Sequence, residues 1–444
     1  MKLVVNTAAL TQAEVEAAQL QKLDRPGPSY TSYPTADCFV DSFGPEQYRH
    51  SLRQRAQGAV VGGGLPLSLV VHVPFCESPG HARDGVAWLA REVELHRMEL
   101  GAMQSVSQLQ LACCSPACDP TRAPTFLSND ELANLMRLLR AAFRIIPGAE
   151  LSIDADPRTA SAERLRHLSS LGFNHLRFCA QGFNADAQHH ESASGLVAEA
   201  RALRFESIHA DLPYGLPQQT PEAFKRTVTQ MAALHPTRIA LHAHAGLPNA
   251  QQRMQMRADA IAGFTRQGYV HIGMDHFALP TDALAIAKRL GRLHRNAQGY
   301  TTQPDYDLIA LGVSAIGRVG ATYSQNAKTL PEYQDALTQG RFPVVRGLAL
   351  NRDDLLRRSV IMAIMCQGRV EFESIELAHL VKVQEVFADE LQRLQAFEAQ
   401  GLVQVNAQEI QVTDKGWFYI RAIAMVFDRY RPPSDPREHF SRVV

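Results

Sequence analysis

The sequence has no excess of either charge: Lys plus Arg and Asp plus Glu both total 45. A neutral chain without a basic stripe lacks the electrostatic footprint of a nucleic-acid or anionic-membrane binder. No apolar run approaches the roughly 20 residues that a bilayer span requires. The opening MKLVVNTAALTQAEVEAAQL is broken by Gln12 and Glu14 and is followed by no small-residue cleavage site, so it reads as a terminal segment and not as a signal peptide. These absences predict a cytoplasmic protein without a membrane span. The cysteines number seven, odd and scattered, which excludes a disulfide framework. Cys38, Cys179 and Cys366 stand singly in apolar surroundings and read as small buried hydrophobes. Internal repeats and low-complexity segments are also missing.

What is present suffices for two or three domains: 444 residues, with the 45% apolar and 20% charged content of an ordinary soluble chain. The stretch that organises the rest is LSLVVHVPFCESPGHARDG, 67–85. Its β-branched run closes at Pro74 and delivers Cys76 onto a Gly-bearing loop, the pattern of a buried parallel strand. Further strands are predicted at 107–114, 150–156, 175–183, 207–212, 238–245 and 269–276. Between them lie amphipathic helices with start signals: Ser128 and Glu131 form a capping box, and Thr220 precedes Pro221 at a first helical position. Strands alternating with helices predict an α/β fold, a parallel sheet partly closed into a TIM-like (β/α) barrel. In that architecture the site lies at the strands' C-terminal ends, where Cys76, Asp154, Gln181, Asp211 and His244 fall.

Ahead of the barrel, RPGPSYTSYPTA (25–36) cannot be helical across its prolines and by composition reads as a linker. From about residue 281 helices take over, at 350–369 and 377–400, then a short β pair in LVQVNAQEIQVT and a helix around 416–430. Helices with a small hairpin resemble a winged helix, but the balanced charge argues against DNA. The predicted division is an extended segment 1–50, an α/β barrel 51–285 and a mainly helical, winged-helix-like domain 286–444.

Several long motifs follow one another in order: YTSYPTA, HVPFC, SIDADPR at 152–158, DLPYGLPQQTPEAF at 211–224, GMDHFALP at 273–280, LHRNAQGYTTQ at 293–303, LGVSAIGRVG at 311–320, QVTDKG at 411–416 and the terminal FSRVV. Through these motifs nearly the whole chain resembles the oxygen-independent coproporphyrinogen III oxidases, radical S-adenosylmethionine (SAM) enzymes of haem biosynthesis. The resemblance implies a radical-SAM-type barrel and a 4Fe-4S cluster held by cysteines at C-x3-C-x2-C, with SAM bound to the cluster. It also implies SAM-dependent oxidative decarboxylation of coproporphyrinogen III to protoporphyrinogen IX, the cofactor supplying the chemistry and the protein the ligands and orientation.

The sequence departs from that pattern where the chemistry should sit. Cys76 takes the first cluster position, but the second and third fall on Gly80 and Arg83. Glycine has no ligand atom, and arginine carries a fixed charge with donors only. The Tyr that the family places before HVPFC is Val70, and the glycine-rich stretch for the SAM amino group falls near PTRAP, 120–124. A family Glu is the shorter Asp154, and the Arg expected after Gln181 falls on Ala193. Gln181 and Asp211 remain of the SAM contacts that the resemblance implies, a set that also includes Asp154, Ala245 and Ile316. The expectation is a degenerate, non-catalytic, monomeric paralogue that binds a tetrapyrrole or haem, its cluster and SAM site lost or weakened.

Two alternatives stand beside it. One is an active radical SAM oxidase whose cluster, or a zinc ion, is held by Cys76 with Cys113, Cys114 and Cys118 (ACCSPAC). The other is an interaction-only protein. His242 and His244, two apart on one strand, point the same way and, with His72 and His209, are candidate metal or haem ligands. Arg295 and Gln298 are candidate tetrapyrrole contacts, the arginine fork being suited to propionate carboxylates.

Overall fold

The run LSLVVHV forms the expected strand, β1 (Leu67–Val73), buried at six of its seven positions. The computed structural model describes residues 23, 26–59, 64–73, 82–101, 103–113, 127–180, 183, 187–217, 219–244, 250–296 and 299–431. The chain divides into two units built from interleaved segments: 39–212 with 305–350, and 1–38 with 213–304 and 351–444.

In the first unit β1 lies beside β2 (Gln104–Cys113), followed in order by β3 (Phe143–Ala155), β4 (His175–Cys179) and β5 (Ser207–Tyr214), all parallel. On its other side β1 pairs in parallel with Leu308–Leu311, and the strands Ile316–Val319, Thr322–Asn326 and Val344–Ala349 continue the sheet antiparallel. Parallel neighbours require crossovers. The helices Ala82–Leu100, Asn129–Ala142, Ala162–Ser170 and Ala187–Ala202 supply them in turn. The capping box at Ser128 is formed: the Glu131 N–H donates to Ser128 Oγ at 3.2 Å, and Ser128 N–H donates to Glu131 Oε2 at 2.8 Å.

β3 starts seven residues earlier than predicted, at Phe143 rather than 150. Pro147 and Gly148 hide the extension in the sequence. Both fall where β2 slips register, between Val106 and Gln108, the kind of irregularity in which a strand tolerates proline. Below the N-terminal end of β1 the Arg55 Nε lies 2.8 Å from Asp307 Oδ2, with both side chains almost wholly buried. The same guanidinium donates to Gln104 Oε1 and to the Leu65 carbonyl, so no donor edge is wasted.

In the second unit, Arg238–Ala243, His276–Ala278 and Val270–Gly273 form a three-stranded antiparallel arrangement. The single strand predicted at 269–276 is therefore two. The backbone reverses at Met274, whose φ is +45°, and His271 Nε2 lies 2.7 Å from the Met274 carbonyl across the turn. The helix predicted at 377–400 is likewise divided. Phe372–His379 ends at Leu380 in the left-handed region, and the helix resumes as Val383–Val386 and Ala388–Glu398. The predicted hairpin is present as Val403–Val405 and Glu409–Val412, joined by Arg369–Glu371 as a third strand. The segment around 416–430 is short helical turns, Gly416–Tyr419, Ile420–Ala424 and Met425–Phe427, and not one continuous helix.

The proline-rich stretch at 25–36 is no free linker over its described residues. Tyr30 and Tyr33 are fully buried within this unit. Tyr30 donates to Asp428 Oδ2 at 2.9 Å, Tyr33 meets the Tyr430 ring edge-on, and Arg421 Nε donates to the Pro28 carbonyl. No helix among the described residues is long and apolar enough to cross a membrane.

Candidate functional site at the strand ends

The C-terminal end of β1 is braced from below by one buried carboxylate. Glu92, on the helix that follows the loop carrying Cys76, is wholly buried beside Leu89, Val93 and His96. Its Oε2 accepts from the Gly312 N–H at 2.8 Å and from the Tyr333 hydroxyl at 2.6 Å, and its Oε1 accepts from Asn326 Nδ2 at 2.7 Å. Burial pushes the carboxyl up to about 7, while these three hydrogen bonds pull it partway back. Gly312, with φ of +99°, passes so close to β1 that a Cβ on it would lie 2.1 Å from the His72 carbonyl oxygen. Only glycine permits that approach. His72 Nδ1 lies 3.3 Å from the Val313 carbonyl, and burial lowers the ring's pKa.

Beyond β1, the polar row sits on β3, β4 and β5. Asp154 is registered opposite Arg177, and Arg177 opposite His209. Side chains so registered on parallel strands share a face, as does Asp211, two residues past His209. Arg177 Nε and Nη2 take both oxygens of Asp211, the Nη2–Oδ1 bond measuring 3.0 Å. His209 Nε2 lies 3.4 Å from Asp211 Oδ1. Burial pushes the guanidinium's pKa down, but the Asp211 and Asp154 charges more than offset it and hold it above its ordinary value.

The other sequence candidates are dispersed. Cys76, Gly80, Cys114, Cys118, Gln181, Ala245 and Gln298 lie outside the described residues. Cys113 ends β2 directly opposite Val73 of β1. Ile316 begins its strand opposite Gln325 and is half-buried. His242, on the strand Arg238–Ala243, and His244, just past it, are both exposed, and the His244 N–H donates to the Tyr214 carbonyl. Arg295, expected to face a carboxylate ligand, is instead buried. Its Nε donates to the Ser29 carbonyl and its guanidinium lies 4.6 Å from the Tyr300 ring centre. Among the described residues no group of three or more His, Cys, Asp or Glu is placed to hold a metal ion. The family's cluster is not matched by the C-x3-C-x2-C frame of this chain, which offers one thiolate, no donor at Gly80 and a cation at Arg83.

Sequence reasoning missed Glu92 and Arg177. The first had a signal: a Glu within the Leu89, Val93 and His96 stripe stands on an apolar helix face. The second needed register, since HLRFC alone does not reveal which carboxylate lies beside Arg177.

Comparison with known proteins places this geometry in a lineage. The HemN C-terminal domain family model matches residues 350–419. The oxygen-independent coproporphyrinogen III oxidase of Escherichia coli (strain K12) is 37% identical, over 98% of this chain and 100% of its own length. The oxidase of the same name from Pseudomonas aeruginosa is also 37% identical, over 97% of this chain and 98% of its own. A solved structure described as coproporphyrinogen III oxidase (HemN) from Escherichia coli, a radical SAM enzyme, superposes with a TM-score of 0.83 at 36% identity, covering 91% of this chain and 98% of that one. An α/β sheet with parallel strands and a helical C-terminal region are what the two folds share. The chain belongs to the oxygen-independent coproporphyrinogen III oxidase family.

Proposed function

We propose that this chain keeps the family's scaffold without its radical chemistry, and binds a tetrapyrrole of haem biosynthesis without decarboxylating it. The observation that carries this reading is the donor set after β1: Cys76, Gly80 and Arg83 stand where the family holds a cluster with three cysteines. Cluster ligation is by thiolate, and an arginine there adds positive charge instead. Without the cluster, SAM has no partner for reductive cleavage. The residues offered to the tetrapyrrole are the exposed pair His242 and His244, with Gln298 and, if its bond to Ser29 opens, Arg295.

Titrating coproporphyrin III and haem into the full chain tests the binding half of the proposal. Saturable Soret shifts are expected, weakened in a His242→Ala, His244→Ala double variant, and no saturable shift would leave an interaction-only protein. Anaerobic incubation with coproporphyrinogen III, SAM and a reductant tests the other half. No protoporphyrinogen IX is expected, and its formation would overturn the reading.

One observation favours a second reading. Val73 and Cys113 are register partners on adjacent strands, so the segments bearing Cys76 and bearing Cys114 and Cys118 leave neighbouring strand ends. A cluster held by Cys76 with Cys113, Cys114 or Cys118 would rescue an active oxidase. In that case alanine at these three positions abolishes the cluster absorbance.

A further inference from the structure

Asp154 and Asp211 are the carboxylates that the family resemblance directs toward SAM, whose sulfonium and amino groups are cationic. In this chain a cation of its own already holds Asp211 and stands in register beside Asp154. Arg177 stands between the two on β4, registered against Asp154 on one side and His209 on the other. It holds Asp211 through both oxygens, the bidentate arrangement in which an arginine–carboxylate bond is strongest and most directional. Its side chain is about three-quarters buried and that of Asp211 more so, so water does little to screen the pair. A ligand cation reaching for Asp211 has to break two charge-assisted hydrogen bonds and then sit beside a guanidinium that stays charged at any accessible pH.

We propose that Arg177 is a specificity residue, a resident counter-cation that closes the Asp154–Asp211 row to sulfonium-bearing ligands. The row therefore does not prefer SAM to S-adenosylhomocysteine, its thioether counterpart with the same adenosyl and amino-acid parts but no sulfonium charge. This rests on the reading that SAM chemistry has been given up, but it fails independently: cluster reconstitution tests that reading, whereas the ratio of the two affinities tests Arg177.

The experiment is isothermal titration of the full chain with SAM and with S-adenosylhomocysteine, for the wild type, Arg177→Met and Arg177→Lys. The wild type is expected to bind SAM no more tightly than the thioether, including the case in which it binds neither. Arg177→Met, which frees Asp211 without much change of volume, is expected to shift the ratio tenfold or more toward SAM. Arg177→Lys, which keeps the charge, is expected to behave as the wild type does. A wild type that prefers SAM tenfold overturns the proposal, as does an Arg177→Met chain whose ratio is unchanged or which also binds neither ligand. If Arg177→Met does not fold by circular dichroism, the double variant Arg177→Met, Asp154→Asn removes the surplus negative charge and is held to the same criterion.

Discussion

Glu92 gives a pH signature at the scale of a single residue. Its carboxyl is pushed up to about 7 from an ordinary 4.5 by burial, so the folded state binds the proton more tightly than the unfolded chain. Its contribution to stability is then fully present below about pH 4.5 and is lost as pH rises through 7, on the order of 3 kcal/mol in all. The neighbouring His96 acts in the opposite direction. Burial lowers it from 6.5 to about 4, and its contribution is lost as pH falls through that range. Comparison with Glu92→Gln isolates the first effect. The stability difference between wild type and variant in urea should shrink by about 3 kcal/mol between pH 4.5 and 7.5, and a flat difference would show that Glu92 does not titrate there. Arg55 is the second test at this scale. Asp307→Asn leaves a buried guanidinium without its charge partner, and a loss of about 3–5 kcal/mol is expected from denaturant unfolding.

At the scale of elements, the turn after Leu308–Leu311 is fixed by Gly312, and through it the end of β1. Gly312→Ala forces a Cβ against the His72 carbonyl at a left-handed φ, and should cost roughly 2–5 kcal/mol. A thermal shift within the range of an ordinary surface substitution would contradict this. The same elements show what was readable in the sequence. β1 announces itself because a β-branched run ending at proline has few other uses, and the helix after Ser128 because its cap is local chemistry. The reversal at Met274 left only a weak mark, since Gly273 and Asp275 flank it without forming an Asn-Gly or Asp-Gly pair. The start of β3 was hidden by Pro147, which reads as a breaker until the register slip beside it is known. The Arg177–Asp211 pair joins residues 34 apart, and only the strand order brings them together.

At the scale of the whole molecule, the chain shares its family's architecture, and the proposal that it has given up the cofactors rests on Gly80 and Arg83. The N-terminal tyrosines belong to the preserved part. Tyr30→Phe removes a buried hydrogen bond to Asp428 and should destabilise the chain by about 1–3 kcal/mol, measured by thermal unfolding, without touching the strand ends of the first unit. The altered part is where the family resemblance and the residues disagree most: full-length similarity to oxidases on one hand, Gly80 and Arg83 on the other. The most direct test is anaerobic reconstitution of the full chain with iron and sulfide, followed by visible and electron paramagnetic resonance spectra before and after reduction. A colourless, spectroscopically silent protein is the predicted result. A broad visible absorbance with a reducible cluster signal would contradict it, and would direct attention to Cys113, Cys114 and Cys118 as the replacement ligands.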